Sequence, residues 1–241
     1  MLRAMNHLRS LSGGQTLPQL FQCDDGQAWV LKLVGNHMGQ RTLAVDWVGH
    51  CVAALLNVPI VEPSIVLVAQ EALDTAPDDV RAWARPGAAF GTRFLRMATP
   101  IAGLNQLTPC RNLGLLGRLH VVDVWMDVLD RRKPEGWNLL VETNTPTGDL
   151  RVIDFGLGLS PILGLLAQDD CLDRFPRDLT LWEDRIELQD ALSKCISIKL
   201  SEIETIVDSV PSEWLTVAER ARMVELLNSR QRCVEELLGG G

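Results

Sequence analysis

The sequence lacks the marks of several protein classes. No stretch of about 18 consecutive apolar residues occurs, so a membrane-spanning helix is not expected. The first dozen residues carry Arg3, His7 and Arg9 and no continuous apolar run, which is not the pattern of a secretory signal. Basic residues are in deficit: 23 Lys+Arg stand against 31 Asp+Glu, a formal net charge of −8. That balance supplies neither a phosphate-neutralising stripe for nucleic acid nor a polybasic membrane patch. The six cysteines (Cys23, Cys51, Cys110, Cys171, Cys195 and Cys233) are widely spaced without a C-x-x-C pair, and there are only four histidines. A zinc site of paired ligands is therefore not expected, and the thiols read as reduced, in a cytoplasmic protein. Ser160 does not sit in a G-x-S-x-G frame, because Ile162 occupies the final position.

What is present is core-forming material: 46% of the 241 residues are hydrophobic and 22% are charged. Gly13-Gly14 and Asp25-Gly26 are turn signals flanking a strand over 17–23, and residues 28–34 form its hairpin partner. Ala44, Trp47, Val48, Cys51, Val52 and Leu55 follow helical spacing up to Asn57. A strand follows over 64–69, then a polar insertion over 70–89 and a strand over 90–97. Beyond residue 100 an apolar helix is expected over 113–129. Two short strands, 139–142 and 150–154, flank a turn over 144–148, and mostly helical sequence runs from 181 to the end, split by Pro211. The expected fold class is α+β and bilobal: a small β-rich lobe with one helix, residues 1–98, and a larger helical lobe, residues 99–241.

Chemistry concentrates where helices and strands end. Asp130 follows the apolar helix, Asn138 precedes a short strand, and Asp154 opens Asp154-Phe155-Gly156. Phosphoryl transfer requires a carboxylate to accept the hydroxyl proton, together with an amide oxygen and a carboxylate to hold Mg²⁺ on the phosphates. It also requires a cation for the phosphates, which Lys32 in an apolar strand could supply. Backbone N–H groups facing phosphate could come from Ser12-Gly13-Gly14-Gln15, placed ahead of the first strand. Each piece is weak alone, and the order carries the signal.

In that order the sequence resembles the HipA-like kinases, a bacterial branch of the protein-kinase-like fold. Ser12-Gly13-Gly14-Gln15 is similar to the family's phosphate loop, and Ala28-Trp29-Val30-Leu31-Lys32 to its lysine strand. Asp46 stands where the family has the helix glutamate, and Leu55-Leu56-Asn57-Val58-Pro59 resembles the exit from that helix. Arg93-Phe94-Leu95-Arg96 is similar to the family's R-F-x-R strand, which implies a nucleotide hinge at Arg96 and Met97. Asp123-Val124-Trp125 with Asp130-Arg131 resembles the catalytic segment, and Val210-Pro211-Ser212-Glu213-Trp214 the tail of a short subgroup. The resemblance implies an ATP- and Mg²⁺-dependent kinase acting on serine or threonine hydroxyls of a protein. Asp130 would be the base, Lys32 paired with Asp46 the phosphate anchor, and Asn138 and Asp154 the metal ligands. It further implies that the phosphate loop, at Ser12 or Thr16, can be self-phosphorylated.

Two departures stand out. Asn138 lies eight residues after Asp130, with Glu135 at the kinase spacing of about five. Asp46 is one methylene shorter than glutamate and lies opposite the apolar stripe of its helix, on the side of Gly49 and Ala53. A pseudokinase that only binds nucleotide or a partner, and a kinase for a small molecule or lipid, remain alternatives.

Overall fold

The computed structural model describes residues 1–107, 110–128, 130–133, 136–143, 148–164 and 185–238. Cys171, Glu135, residues 144–147 of the expected turn and residues 181–184 of the expected helical region lie outside the described residues.

The N-terminal third is a closed five-stranded barrel. Strands β1 (Leu2–Ser10), β2 (Gln19–Cys23), β3 (Ala28–Val34), β4 (Pro63–Val68) and β5 (Arg85–Arg93) run in the order β1-β2-β3-β5-β4, and β4 closes on β1 in parallel. The local pattern does not announce β1, and the glycine loop consequently lies between two paired strands rather than ahead of the first. The reason is visible in the register: shifts between Ala4 and Asn6 and between His7 and Arg9 break the alternation, so no period-2 apolar pattern survives in the sequence. In β3 the pleat sets the two faces. Trp29, Leu31 and Leu33 fill the barrel, which turns Lys32 to the outer face.

The expected polar insertion keeps its charged residues exposed but sends its few apolar ones into the core. Two single-turn helices, α2 (Gln70–Leu73) and α3 (Asp78–Arg81), place Ala72, Leu73 and Val80 in the cluster that fills the barrel. The following strand starts and ends earlier than expected, at Arg85 and Arg93, because Pro86 and Gly87 are accommodated at its beginning.

Helix α1 (Gln40–Leu55) covers the outer face of the barrel. It is not amphipathic: Leu43, Ala44, Val45, Asp46, Val48, Gly49, His50, Val52 and Ala53 are all buried. Such a helix must be enclosed on nearly every side. Its apolar residues belong to the same cluster as the C-terminal helices, whereas the barrel interior forms a separate cluster.

After β5, residues 94–97 link to β6 (Ala98–Pro100), which pairs with β9 (Leu139–Glu142); β9 in turn pairs with β10 (Asp149–Val152). Between them come α4 (Leu115–Met126) and a two-stranded hairpin, β7 (Arg132–Lys133) and β8 (Gly136–Trp137). Helices α5 (Ser160–Leu163), α6 (Arg185–Ser197), α7 (Leu200–Asp208) and α8 (Val217–Leu238) complete the larger lobe. Trp125 is fully buried there and donates its indole N–H to the Leu227 carbonyl at 2.8 Å. Among the described residues, no helix is long and apolar enough to cross a membrane.

Candidate active site

Lys32 is buried because α1 roofs the face of β3 from which it projects. Its Nζ contacts the carboxylate of Asp46 on α1 and lies 2.8 Å from Asp154 Oδ1. Asp46, fully buried, also accepts the Phe155 backbone N–H at 2.8 Å. One helix carboxylate therefore ties the strand lysine to the Asp-Phe-Gly turn. Burial opposes the charge on Lys32, but Asp154 and then Asp46 outweigh it, and its pKa is held above the ordinary value. The Asp46 carboxyl is pushed upward by burial, against the pull of Lys32, because two carboxylates share one ammonium.

A carboxylate as short as aspartate reaches this position because α1 and the turn approach closely. A Cβ on Gly49 would sit 2.3 Å from Phe155 Cβ, and one on Gly156 would sit 2.9 Å from Thr42 Cγ2. Asp154 itself takes a left-handed backbone, φ 59°, and its Oδ1 accepts the Gly156 N–H at 3.1 Å. Such a conformation persists in a non-glycine residue only where the surroundings enforce it. On a helical wheel Asp46 is either exposed or paired; the structure places it in the pair. His50, one turn further along α1, packs against Phe90 and Phe155 with ring centroids 5.0 Å away in each case. Burial lowers its pKa against the pull of Asp46, and its Nδ1 lies 2.8 Å from the Asp46 carbonyl.

The insertion between Asp130 and Asn138 contains the β7–β8 hairpin, which brings its ends together. The Asn138 N–H donates to the Arg131 carbonyl at 3.0 Å, and that backbone bond closes the insertion at its base. The Asn138 side-chain Nδ2 then donates to the Asp130 carboxylate at 3.2 Å and to the Asp130 carbonyl at 3.3 Å. With its nitrogen end turned to Asp130, the amide presents its oxygen on the opposite side.

Arg131, whose role residue order alone does not single out, joins these pieces. Its guanidinium takes the Asp123 carboxylate at 2.9–3.2 Å and donates to the carbonyls of Asn138 and Ile153 at 3.0 and 2.8 Å. It also lies 4.7 Å from the centre of the Phe155 ring. Burial pushes the Asp123 carboxyl up, while Arg131 opposes that shift. The signal available in the sequence is Asp123 followed eight residues later by Arg131, but nothing local distinguishes it from an exposed pair.

Ser12, Gly13, Gly14 and Gln15 form an exposed loop between β1 and β2, and Gly13 and Gly14 both have positive φ. Thr16 behind it is buried. Arg96 and Met97 lie in the 94–97 link, beside a groove of about 460 Å³ also lined by Gln27, Glu62, Arg93 and Arg151. The Met97 carbonyl accepts the Thr143 N–H at 2.7 Å, and its side chain is exposed.

The donor set bears on a metal. Among the described residues, no group of three or more His, Cys, Asp or Glu could hold an ion. Asn138 and Asp154 offer hard oxygens, the donor type that a divalent cation such as Mg²⁺ takes together with phosphate and water.

Two solved kinase folds resemble this one. The Helicobacter pylori proinflammatory kinase CtkA aligns with a TM-score of 0.62 at 12% identity, over 94% of this chain and 92% of that one. The Golgi casein kinase aligns with a TM-score of 0.60 at 11% identity, over 100% of this chain and 75% of that one. A second structure of the Golgi casein kinase, with Mn/ADP bound, aligns with a TM-score of 0.60 at 10% identity, over 98% and 73% of the two chains. Comparison with curated proteins gives no significant match. The family model of the HipA-like kinases matches residues 5–238, and the chain belongs to that family of kinase-like phosphotransferases.

Proposed function

We propose that this protein transfers the γ-phosphate of ATP, with Mg²⁺, to a serine or threonine hydroxyl of a protein. The observation that carries this reading is the Lys32 ammonium held between Asp46 and Asp154, a cation fixed at the mouth of the Asp-Phe-Gly turn. In this reading Lys32 orients the phosphates and Asp46 keeps Lys32 and the turn in register. Asp130 accepts the proton of the attacking hydroxyl, and Asn138 and Asp154 hold the metal. A cation bound there supplies positive charge to the phosphate oxygens during transfer. The loop Ser12–Gln15 covers the phosphates, and Arg96 and Met97 border the base. The hairpin that absorbs the long Asp130–Asn138 interval favours a working enzyme over a pseudokinase. The division into lobes 1–98 and 99–241 follows the same reading, with nucleotide between them. Mn/ADP in the Golgi casein kinase structure is consistent with nucleotide and a divalent cation on this fold.

Lys32→Ala tests the reading. Calorimetry with Mg-ATP is expected to show at least about tenfold weaker binding, the loss of one charge-assisted contact. Lys32 is more buried than a strand lysine facing an open cleft, so a lower melting temperature is expected as well. The upward-shifted Asp46 can take up a proton and limit that loss. Unchanged nucleotide affinity would remove the main support for the kinase reading. Transfer to casein against transfer to small alcohols or lipid vesicles distinguishes a protein acceptor from the alternatives.

The loop also has a testable consequence. Ser12 is exposed and Thr16 is buried, so self-phosphorylation is expected on Ser12. Phosphate there adds about −1.5 to −2 charges where those of ATP must sit, and should inhibit the enzyme. Mass spectrometry after incubation with Mg-ATP checks this; an active kinase carrying no phosphate at Ser12 would exclude it.

A further inference from the structure

The segment that joins α7 to α8 does more than connect two helices. Trp214 is buried and donates its indole N–H to the Ala88 carbonyl on β5 at 2.9 Å, and the Ala88 N–H donates to Glu213 Oε1 at 3.3 Å. On α1, Trp47 Nε1 donates to Ser209 Oγ at 2.8 Å, and Arg41 pairs with Glu219 at 2.5 Å. The segment thus grips β5, the neighbour of β3, and α1, the helix that brings Asp46 to Lys32. It is itself braced. The Arg220 guanidinium donates to the carbonyls of Val207, Val210 and Pro211 at 2.7–2.9 Å. At the start of α8, the Thr216 N–H and Oγ1 donate to Glu219 Oε2.

We infer that residues 209–219 form an internal strap that holds α1 in its engaged position, so that Asp46 meets Lys32 without a second protein pressing on the helix. Arg41 and Ser209 are then positioning residues: they act on phosphate binding through α1 and touch none of the reacting groups. The strap's functional meaning rests on the kinase reading, its mechanical one on the contacts alone. Two properties of α1 support it. The helix shares its apolar cluster with α4, α7 and α8 rather than with the barrel interior. Its first turn has no side-chain cap, and the Arg41–Glu219 pair ties that turn to the start of α8.

The test uses the full chain carrying Arg41→Gln with Ser209→Ala. Both residues are exposed, and neither substitution opens a cavity. If α1 is engaged only part of the time, apparent nucleotide affinity falls by the engaged fraction, while saturating nucleotide restores the engaged state. The expected result is a KM for Mg-ATP raised about tenfold with kcat changed less than about twofold, as a hydrogen bond and an exposed ion pair together allow. Hydrogen exchange, followed by mass spectrometry without nucleotide, should speed up in the α1 peptide and stay unchanged in the α4 peptide. Arg41→Lys with Ser209→Thr, which keeps charge and hydroxyl, should restore both readouts. Unchanged KM and unchanged α1 exchange would overturn the strap. Faster α1 exchange in variants of a protein whose wild type binds no nucleotide would uphold the strap and overturn the kinase reading.

Discussion

Asp130→Asn is expected to lower phosphoryl transfer by about 10²–10⁴-fold, the contribution of a positioned general base. Nucleotide affinity should be retained, because the substitution is nearly isosteric and leaves the Lys32–Asp46 pair in place. The bond from Asn138 Nδ2 can be kept by the new amide's oxygen, so the loop should hold its shape. Asp154→Asn should behave differently. It removes a carboxylate from Lys32 and, in the proposed reading, from the metal, so Mg²⁺-dependent nucleotide binding should fall along with transfer. Single-turnover transfer and Mg-ATP calorimetry on wild type and the two variants separate these outcomes. Equal transfer by wild type and Asp130→Asn would exclude Asp130 as the base.

The largest stability loss is expected at Arg131. Replacing it by leucine leaves Asp123, only 14% exposed, without its cation and deprives the Asn138 and Ile153 carbonyls of a donor. Breaking a buried pair by removing one partner costs about 3–5 kcal/mol. Urea unfolding of Arg131→Leu should therefore show a much lower midpoint with an unchanged slope. The second substitution, Asp123→Leu in the same chain, removes the stranded carboxylate and should recover a substantial part of the loss. Transfer activity should not return with it, because the guanidinium is also what joins the Asn138 loop to the Asp154 turn. A double variant no more stable than Arg131→Leu would show that the pair does not carry the energy. Recovery of full activity would show that Arg131 does not position the site.

Much of the fold is legible in residue order and local period. The apolar run of β3 with its single lysine, the glycine turns, the helical spacing from Ala44 to Leu55 and the placing of Lys32, Asp130, Asn138 and Asp154 on or beside their elements all follow from neighbours a few residues away. The misreadings are places where tertiary contacts override the local pattern. β1 is hidden by its bulges, and the expected polar insertion over 70–89 gives no sign that its few apolar residues plug the barrel or that its end begins β5.

The chain's own sequence determined which chemical groups are present, in what order, and on which kinds of element. Only the tertiary structure decided their partnerships. Asp46 lies opposite an apolar stripe on a helical wheel, yet it is buried because the helix is enclosed by both lobes and meets Phe155, 109 residues later. Lys32 finds Asp154 across 122 residues, and Asp130 regains Asn138 because the intervening chain doubles back as a hairpin. Periodicity reports which face of an element is apolar; it carries no information about what distant segment covers that face, and here that covering sets the charge, burial and geometry of the site.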